Sequence, residues 1–409
     1  MKGDDEDRGG EKPEPGEGPN WSFLPQELLL KIFKFLSPDH LMQASQVCQF
    51  WNTVGRDPTL WRNVEITLGA GKDSTSQDLV QFILNNHRKH LKSLIFKADS
   101  SKESAEKVCH ILKRLVHCSL RTLAVISCAA PVFLDIDYES FTSALDVVFD
   151  HTDSIRNLAV DYTPIDDPSL KKLARNHSKS LQLLKMKSCP RISPEGVLWL
   201  TDNCRRLREL SLNYAVLNDD ILRSLSSENH VRLTHLRIDV FTDPTTKYTN
   251  KISTPSWQAL IKHSPNLNLI IYFFVVDVET YDLFFNSYNP VSHIYFCEYV
   301  PKNVLQRISR NCPRVKELVV NGTDGPTIDI ELIDLGLHCD KLTSIGLSDC
   351  FITCSAFVEF VRISCKRLSE LFISEDCLVQ SFECDLQNVI LSVSELLCMN
   401  WEPEFTPLW

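Results

Sequence analysis

The sequence predicts an α/β fold: a curved parallel sheet inside, helices outside, and a small all-helical unit in front. Three observations lead there. A short apolar phrase recurs eleven times between Leu91 and Ile373. Amphipathic helical stretches separate its copies, as in Pro168–Ala174 and Phe357–Val361. Residues 21–63 carry no such phrase and pattern instead as closely spaced helices.

The first segment, residues 1–20, holds seven acids against three bases, with glycine and proline between them and no aliphatic residue after Met1. Such a composition cannot bury enough apolar surface to order itself, so this stretch is expected to be a disordered acidic tail. It has no apolar core, so it does not read as a secretion signal.

Order is expected from Trp21. Leu24-Pro25 opens a helix with Leu28, Leu29, Ile32, Phe33 and Leu36 on one broad face. Ser37-Pro38-Asp39 breaks it, and Ser37 or Asp39 can cap the next helix. A second run passes through Leu41, Ala44, Val47, Cys48 and Trp51, and Asp57-Pro58 makes the turn before Leu60-Trp61. A unit of roughly 40 residues is too small to bury a core alone. Its surplus of large apolar side chains therefore implies a partner surface.

The repeated phrase follows. Clear copies are Leu120-x-x-Leu123-x-Val125, Leu181-x-x-Leu184-x-Met186, Leu207-x-x-Leu210-x-Leu212 and Leu342-x-x-Ile345-x-Leu347. Their period of about 26 residues is that of a leucine-rich repeat, one strand and one helix per unit. Val64, Ile66 and Leu68, after Leu60, read as a degenerate first strand joining the helical unit to the solenoid. Two long spacings mark insertions, at Ala129–Tyr138 and Thr242–Pro255.

Side chains alternate along a strand, so the phrase also assigns a concave face. Lys185, Lys187, Glu209, Ser211, Asn213, His235, Arg237 and Asp239 are expected to line it. Farther along, Leu269, Ile271, Phe273, His293 and Tyr295 are expected to give it an apolar, aromatic character, which on an exposed sheet marks an interface or lies under a covering loop.

Composition excludes several functions. A net charge of −10 and a pI near 5.7 argue against a nucleic-acid partner. The longest apolar stretch, Leu267–Val276, is about half the ~20 residues of a membrane helix. Fifteen cysteines form no C-x-x-C pair, so zinc spacing is missing and no metal or other cofactor is expected. Many sit at fixed repeat positions instead: Cys204, Cys312, Cys339 and Cys365 before a phrase, Cys128, Cys189 and Cys350 after one. Packing in tight interior turns is their expected role. His110, His117, His177, His230, His263 and His338 fall in or after the helices, where solvation or capping is expected. No phosphate loop, H-E-x-x-H or G-x-S-x-G is present, so no catalytic residue is assigned.

The last residues, Asn400 to Trp409, hold three aromatics and two of the chain's prolines after Trp401. Sequence physics leaves two roles open, a cap on the final repeat or a ligand for a partner, since a tryptophan is a common interface anchor.

Two resemblances sharpen this reading. Leu24-Pro25, Glu27-Leu28, Ile32-Phe33, Leu36, Val47-Cys48, Trp51 and Leu60-Trp61 stand where the F-box family has its signature residues. That resemblance implies docking of Leu24, Pro25, Leu28, Ile32, Phe33, Leu36, Val47, Cys48, Trp51, Leu60 and Trp61 on the Skp adaptor, and through it a cullin scaffold and a RING ubiquitin ligase. Trp401-x-Pro403 and Pro407-x-Trp409 resemble the tail of the circadian F-box/leucine-rich-repeat receptors that bind cryptochromes. So do Ala44–Cys48, Asp99–Glu106, His230–Leu233, Leu236–Val240 and Cys354–Val361. This resemblance implies a non-catalytic receptor whose tail enters a cryptochrome pocket, with Trp409 foremost and Trp401, Pro403 and Pro407 shaping its approach. Arg237, Asp239, Phe273 and Tyr295 would join the contact from the concave face. A second reading is a receptor that shelters cryptochrome without promoting its destruction. Cytoplasm and nucleus are the implied compartments. The expected division is a tail at 1–20, an F-box at 21–66, a solenoid at 67–398 and a substrate-binding tail at 399–409.

Overall fold

The computed structural model describes residues 24–71, 74–128, 131–241, 251–379 and 386–404. The acidic tail, Pro407 and Trp409 lie outside them, as does most of the Thr242–Pro255 insertion.

Three helices come first: α1 Gln26–Phe33, α2 Pro38–Ala44 and α3 Gln49–Gly55. Their starts follow local chemistry. The Ser37 hydroxyl accepts the His40 N–H at 3.3 Å, with Pro38 in the first turn of α2. Cys48 caps α3 by accepting the Trp51 N–H on its sulfur. Leu29, Phe33, Leu41 and Val54 close the space between the helices, where the Phe33 and Trp51 rings meet edge-on at 5.5 Å.

The chain then enters the sheet with almost no linker. Its strands are β1 Asn63–Leu68, β2 Ser93–Ala98, β3 Thr122–Ser127, β4 Asn157–Ala159, β5 Leu183–Lys185, β6 Glu209–Asn213, β7 His235–Val240, β8 Asn268–Phe273, β9 His293–Phe296, β10 Glu317–Val320, β11 Ser344–Leu347, β12 Ile352–Thr353, β13 Glu370–Ile373 and β14 Leu378–Val379. Among the described residues, β1 to β11 and then β13 form one parallel sheet of 12 strands in sequence order, and β12 pairs with β14 beside it. The expected 66/67 division falls inside β1, which pairs with β2 from Asn63 to Leu68. The first residue of that repeat is Trp61, not Leu60: it stands three before Val64, as Leu91 does before Leu94. Its buried indole donates to the Gly55 carbonyl at 2.8 Å, stacks on His87 at 5.2 Å and meets Phe82. Burial pushes the His87 imidazole down to about 4, so it packs as a neutral ring at pH 7.

The inward pair of each strand, such as Leu94 and Phe96 or Leu210 and Leu212, is buried against the outer helices. One helix, Asp167–His177, shows the pattern: Leu170, Leu173 and Ala174 face the sheet while Lys171 and Arg175 face outward. His177 departs from the solvated role expected of it. It is buried, accepts the Ile155 N–H on Nδ1 and donates from Nε2 to the Phe149 carbonyl. His230 is buried too. Cys189, Cys204, Cys312, Cys339 and Cys350 pack inside as expected, whereas Cys128 is exposed and Cys365 only half-buried. The first insertion is also packed: Val132, Phe133 and Ile136 are buried, and Phe133 meets Phe141 at 5.8 Å.

Strand β8 breaks the phase. Leu236 pairs with Leu269 and Ile238 with Ile271, which puts Leu269, Ile271 and Phe273 in the core. They were expected on the concave face. Only one residue separates Leu267 from Leu269, where two is the rule elsewhere, and with a side-chain period of two that slip exchanges the faces.

Carboxylates tie one repeat to the next. Asp167 accepts both the N–H and the hydroxyl of Ser193, at 2.9 and 2.6 Å, and Asp329 does the same for Thr353 at 2.9 Å each. Ser193 in turn caps its own helix at Gly196, where a Cβ would lie 2.0 Å from the Asp167 carboxylate. Hence glycine. At the N-terminal end Asp99 accepts from Ser101 and from the Ala70 N–H, and the Ser101 hydroxyl holds its carboxyl down at about 2. A folded pKa below the unfolded value of about 3.9 contributes stability above pH 4 that is lost as pH falls towards 2. Thermal melts between pH 5 and pH 2 should therefore fall steeply, and Asp99→Asn should flatten part of that fall. An identical profile in the variant would remove Asp99 from the account.

Candidate functional site

Two surfaces stand out. The first is the outer side of the three-helix unit. Leu28, Ile32 and Phe35, spaced i, i+4 and i+7, project from α1 and its end, with Phe35 91% exposed. Val47 and Phe50 add to the same exposed apolar set, Val47 at 66%. So much uncovered apolar area on so small a unit marks a partner site. Of the residues expected to dock there, Pro25, Leu28, Ile32 and Val47 are exposed, and Leu24, Leu36, Cys48, Trp51 and Leu60 are half-buried. Phe33 and Trp61 are not presented at all. Both are buried, one in the helical core and the other at the joint with the sheet, so they support the surface from behind. Phe35 and Phe50 were missed, although the spacing from Leu28 through Ile32 points directly at Phe35.

The second surface is the concave face of the sheet. Lys187 pairs with Asp161 at 3.4 Å, and Arg237 grips Asp239 with Nε and Nη2 at 2.8 and 3.3 Å. Asp239 is fully buried, which pushes its carboxyl up; the Arg237 guanidinium opposes that shift. Arg237 also lies 3.6 Å over the Tyr272 ring, a cation–π contact. Tyr272 stacks on Tyr295 at 4.2 Å, and Val319, Ile270, Phe274 and Cys297 complete the cluster. Thus Tyr272, with Ile270 and Phe274, holds the place on β8 expected of Phe273. Beyond it, burial drives His293 down to about 4 and raises Glu317 and Tyr295, which share a hydrogen bond. At pH 7 this end of the face is uncharged at His293 and aromatic at Tyr295. The result is a graded surface, with ion pairs on β5 to β7 and rings on β8 and β9.

The third set of site residues is the tail. Trp401 is only 5% exposed, its Nε1–H donates to the Leu371 carbonyl at 3.1 Å and its ring lies 5.4 Å from Phe357. Its N–H reaches Ser394 Oγ, and the Glu404 N–H reaches the Ile373 carbonyl at 3.0 Å. Trp401 is therefore a cap on the last strand, a correction to its expected role as a substrate contact. Pro403 is half-buried between the two anchors.

Burial pushes the thiols of Cys189, Cys204, Cys339 and Cys350 up to about 12, which suits packing and disfavours the nucleophilic thiolate. Among the described residues no group of three histidine, cysteine or acidic side chains could hold a metal ion, and no helix is long and apolar enough to cross a membrane.

Two outcomes follow from these contacts. Arg237→Ala strands a buried carboxylate and should cost about 3–5 kcal/mol in chemical unfolding, whereas the double change Arg237→Leu/Asp239→Leu should cost far less. Equal losses in the two would mean that the pair is not a buried ion pair in solution. Trp401→Ala should lower unfolding free energy by about 3–5 kcal/mol with no ligand present. An unchanged melt would return Trp401 to a purely ligand-facing role.

The family model described as F-box-like matches residues 21–67. F-box/LRR-repeat protein 21 of Mus musculus is 46% identical over 395 residues, covering 95% of this chain and 91% of the relative. The protein of the same name from Ovis aries is 44% identical over the same shares. In the crystal structure of the Rad7 and Elc1 complex in yeast, a chain aligns over 72% of each chain at 14% identity with a TM-score of 0.38, too distant to bear on fold or function.

Proposed function

Because the chain belongs to the F-box/LRR-repeat proteins, we propose that it is the substrate-recognition subunit of a Skp–cullin–F-box ubiquitin ligase, that cryptochromes are its substrates, and that it acts on circadian timing from cytoplasm and nucleus. The observation that carries the receptor reading is the pairing of two separate surfaces on one continuous body. The exposed Leu28, Ile32, Phe35, Val47 and Phe50 suit the Skp adaptor, and the concave face suits a folded substrate. Ubiquitin transfer then follows from proximity: a bound partner's lysines gain effective concentration near the charged conjugating enzyme.

The cryptochrome reading is supported by the tail. Trp401 and Glu404 pin the chain to the last strand, so the stretch carrying Pro407 and Trp409 starts from an anchored point beside the concave face. Anchoring lowers the ordering cost of placing a terminal tryptophan in a pocket.

A pull-down of the Skp adaptor and of a cryptochrome photolyase-homology domain tests both parts. Leu28→Asp/Ile32→Asp/Phe35→Asp should lose the adaptor and keep cryptochrome. Removing Trp409 should keep the adaptor and weaken cryptochrome by about 30- to 1,000-fold, the worth of a buried anchor of 2–4 kcal/mol. If cryptochrome never binds the intact protein, its place as substrate falls and the receptor of another substrate remains. Where it does bind, a longer cryptochrome half-life on adding the protein would overturn the degradative part in favour of shelter.

A further inference from the structure

The loops that follow β8, β9, β11 and β13 form one rim of the solenoid, and large apolar side chains stand out along it. Val275 is 67% exposed, Tyr299 64%, Phe351 51% and Val379 40%. Single exposed apolar residues are ordinary; a row of them along one edge is not.

The rim is stiff. Val300 bridges Thr323, and its N–H reaches the Gly322 carbonyl at 2.9 Å. The Ile328 N–H reaches the Phe351 carbonyl at 2.9 Å, and β12 pairs with β14 at Ile352–Leu378 and Thr353–Val379. Gly322 has φ +142°, and a Cβ there would meet the Tyr299 ring at 3.1 Å. Glycine thus lets the backbone support one side of that ring while most of the ring stays in water. An aromatic anchor held in place before binding loses little entropy when a partner covers it.

Acids alternate with these anchors. Glu298, Asp324, Asp349, Glu375 and Asp376 are all exposed. The stretches 274–280, 297–301, 321–328, 348–353 and 374–379 contain no lysine or arginine. The nearest cation, Lys302, is hydrogen-bonded to the Thr327 carbonyl. Like charges this dense repel one another, and a cationic partner relieves that repulsion while speeding encounter. Anionic lipid and nucleic acid would be repelled by the same field. The rim also runs directly on from the concave cluster, since Tyr299 lies one loop beyond Tyr295.

We propose that this rim is a docking surface for a basic protein face that carries apolar side chains between its lysines and arginines. The inference deepens the receptor reading by stating the chemistry of what the receptor grips, and it rests on that reading without depending on cryptochrome.

The test uses the full chain and a synthetic amphipathic lysine/leucine helix as probe, with binding measured at low and high salt. Asp349→Lys/Glu375→Lys/Asp376→Lys and, separately, Tyr299→Ala/Phe351→Ala should each weaken binding by roughly tenfold or more. A control with the same charge change elsewhere, Glu103→Lys/Glu106→Lys/Glu139→Lys, should weaken it by less than about threefold, the share owed to net charge alone. Thermal melts of all variants should match the parent, because every changed residue is exposed. Equal losses in rim and control variants, or no loss in the aromatic variant, overturn the proposal. Failure of cryptochrome to bind in the pull-down removes that substrate and leaves the peptide result to decide the rim.

Discussion

The structure depends on closing the two ends of a single parallel sheet. Each interior strand finds neighbours on both sides, and its two inward residues are covered by helices of its own and adjacent repeats. A core built this way is nearly one-dimensional and has no natural stop. Both stops here use the same chemistry: a tryptophan laid on the end strand with its indole N–H on a backbone carbonyl. Trp61 uses the Gly55 carbonyl before β1, and Trp401 uses the Leu371 carbonyl on β13. The ring excludes water from the last apolar layer, and the hydrogen bond keeps the nitrogen from being buried without a partner.

Between those stops the sheet face is a place where charge can be held out of water. Asp239 tolerates complete burial because Arg237 supplies two hydrogen bonds and a counter-charge, and Arg237 is itself steadied by the Tyr272 ring. Such a network is rigid, and rigidity suits a surface whose task is selection. The aromatic side of the face, from Tyr272 through Tyr295 to Val319, supplies area, while the ionic side supplies register.

Much of this was legible in the sequence because the repeat is periodic. The inward positions of most strands follow from the phrase, and Lys187, Arg237, Asp239 and Tyr295 fall on the concave side as read. The misreadings have specific causes. At β8 a single missing residue after Leu267 exchanged faces, so Phe273 went inside and Tyr272 came out. On α1 both sides are apolar, since Leu28, Leu29, Leu30, Ile32, Phe33, Phe35 and Leu36 nearly encircle it, and a broad stripe does not say which side meets the core. His177 reads as a polar residue at a helix end; only two backbone groups from neighbouring elements make its burial tolerable. Trp401 and Trp409 look alike as letters, and only the Leu371 carbonyl identifies one of them as a cap.

The short passage from Trp61 into β1 has a consequence for dissecting the molecule. β1 is the outer strand of the sheet, and the helices before it are what cover its end. Cutting the chain between the helical unit and the solenoid would bare a parallel edge flanked by Val64, Ile66 and Leu68, a surface prone to pairing with other chains. The helical unit, for its part, would lose the strand on which Trp61 rests. The two halves therefore share one folding unit at their seam, and deletion cannot separate recruitment from recognition. Separating them takes surface substitutions that leave the seam whole.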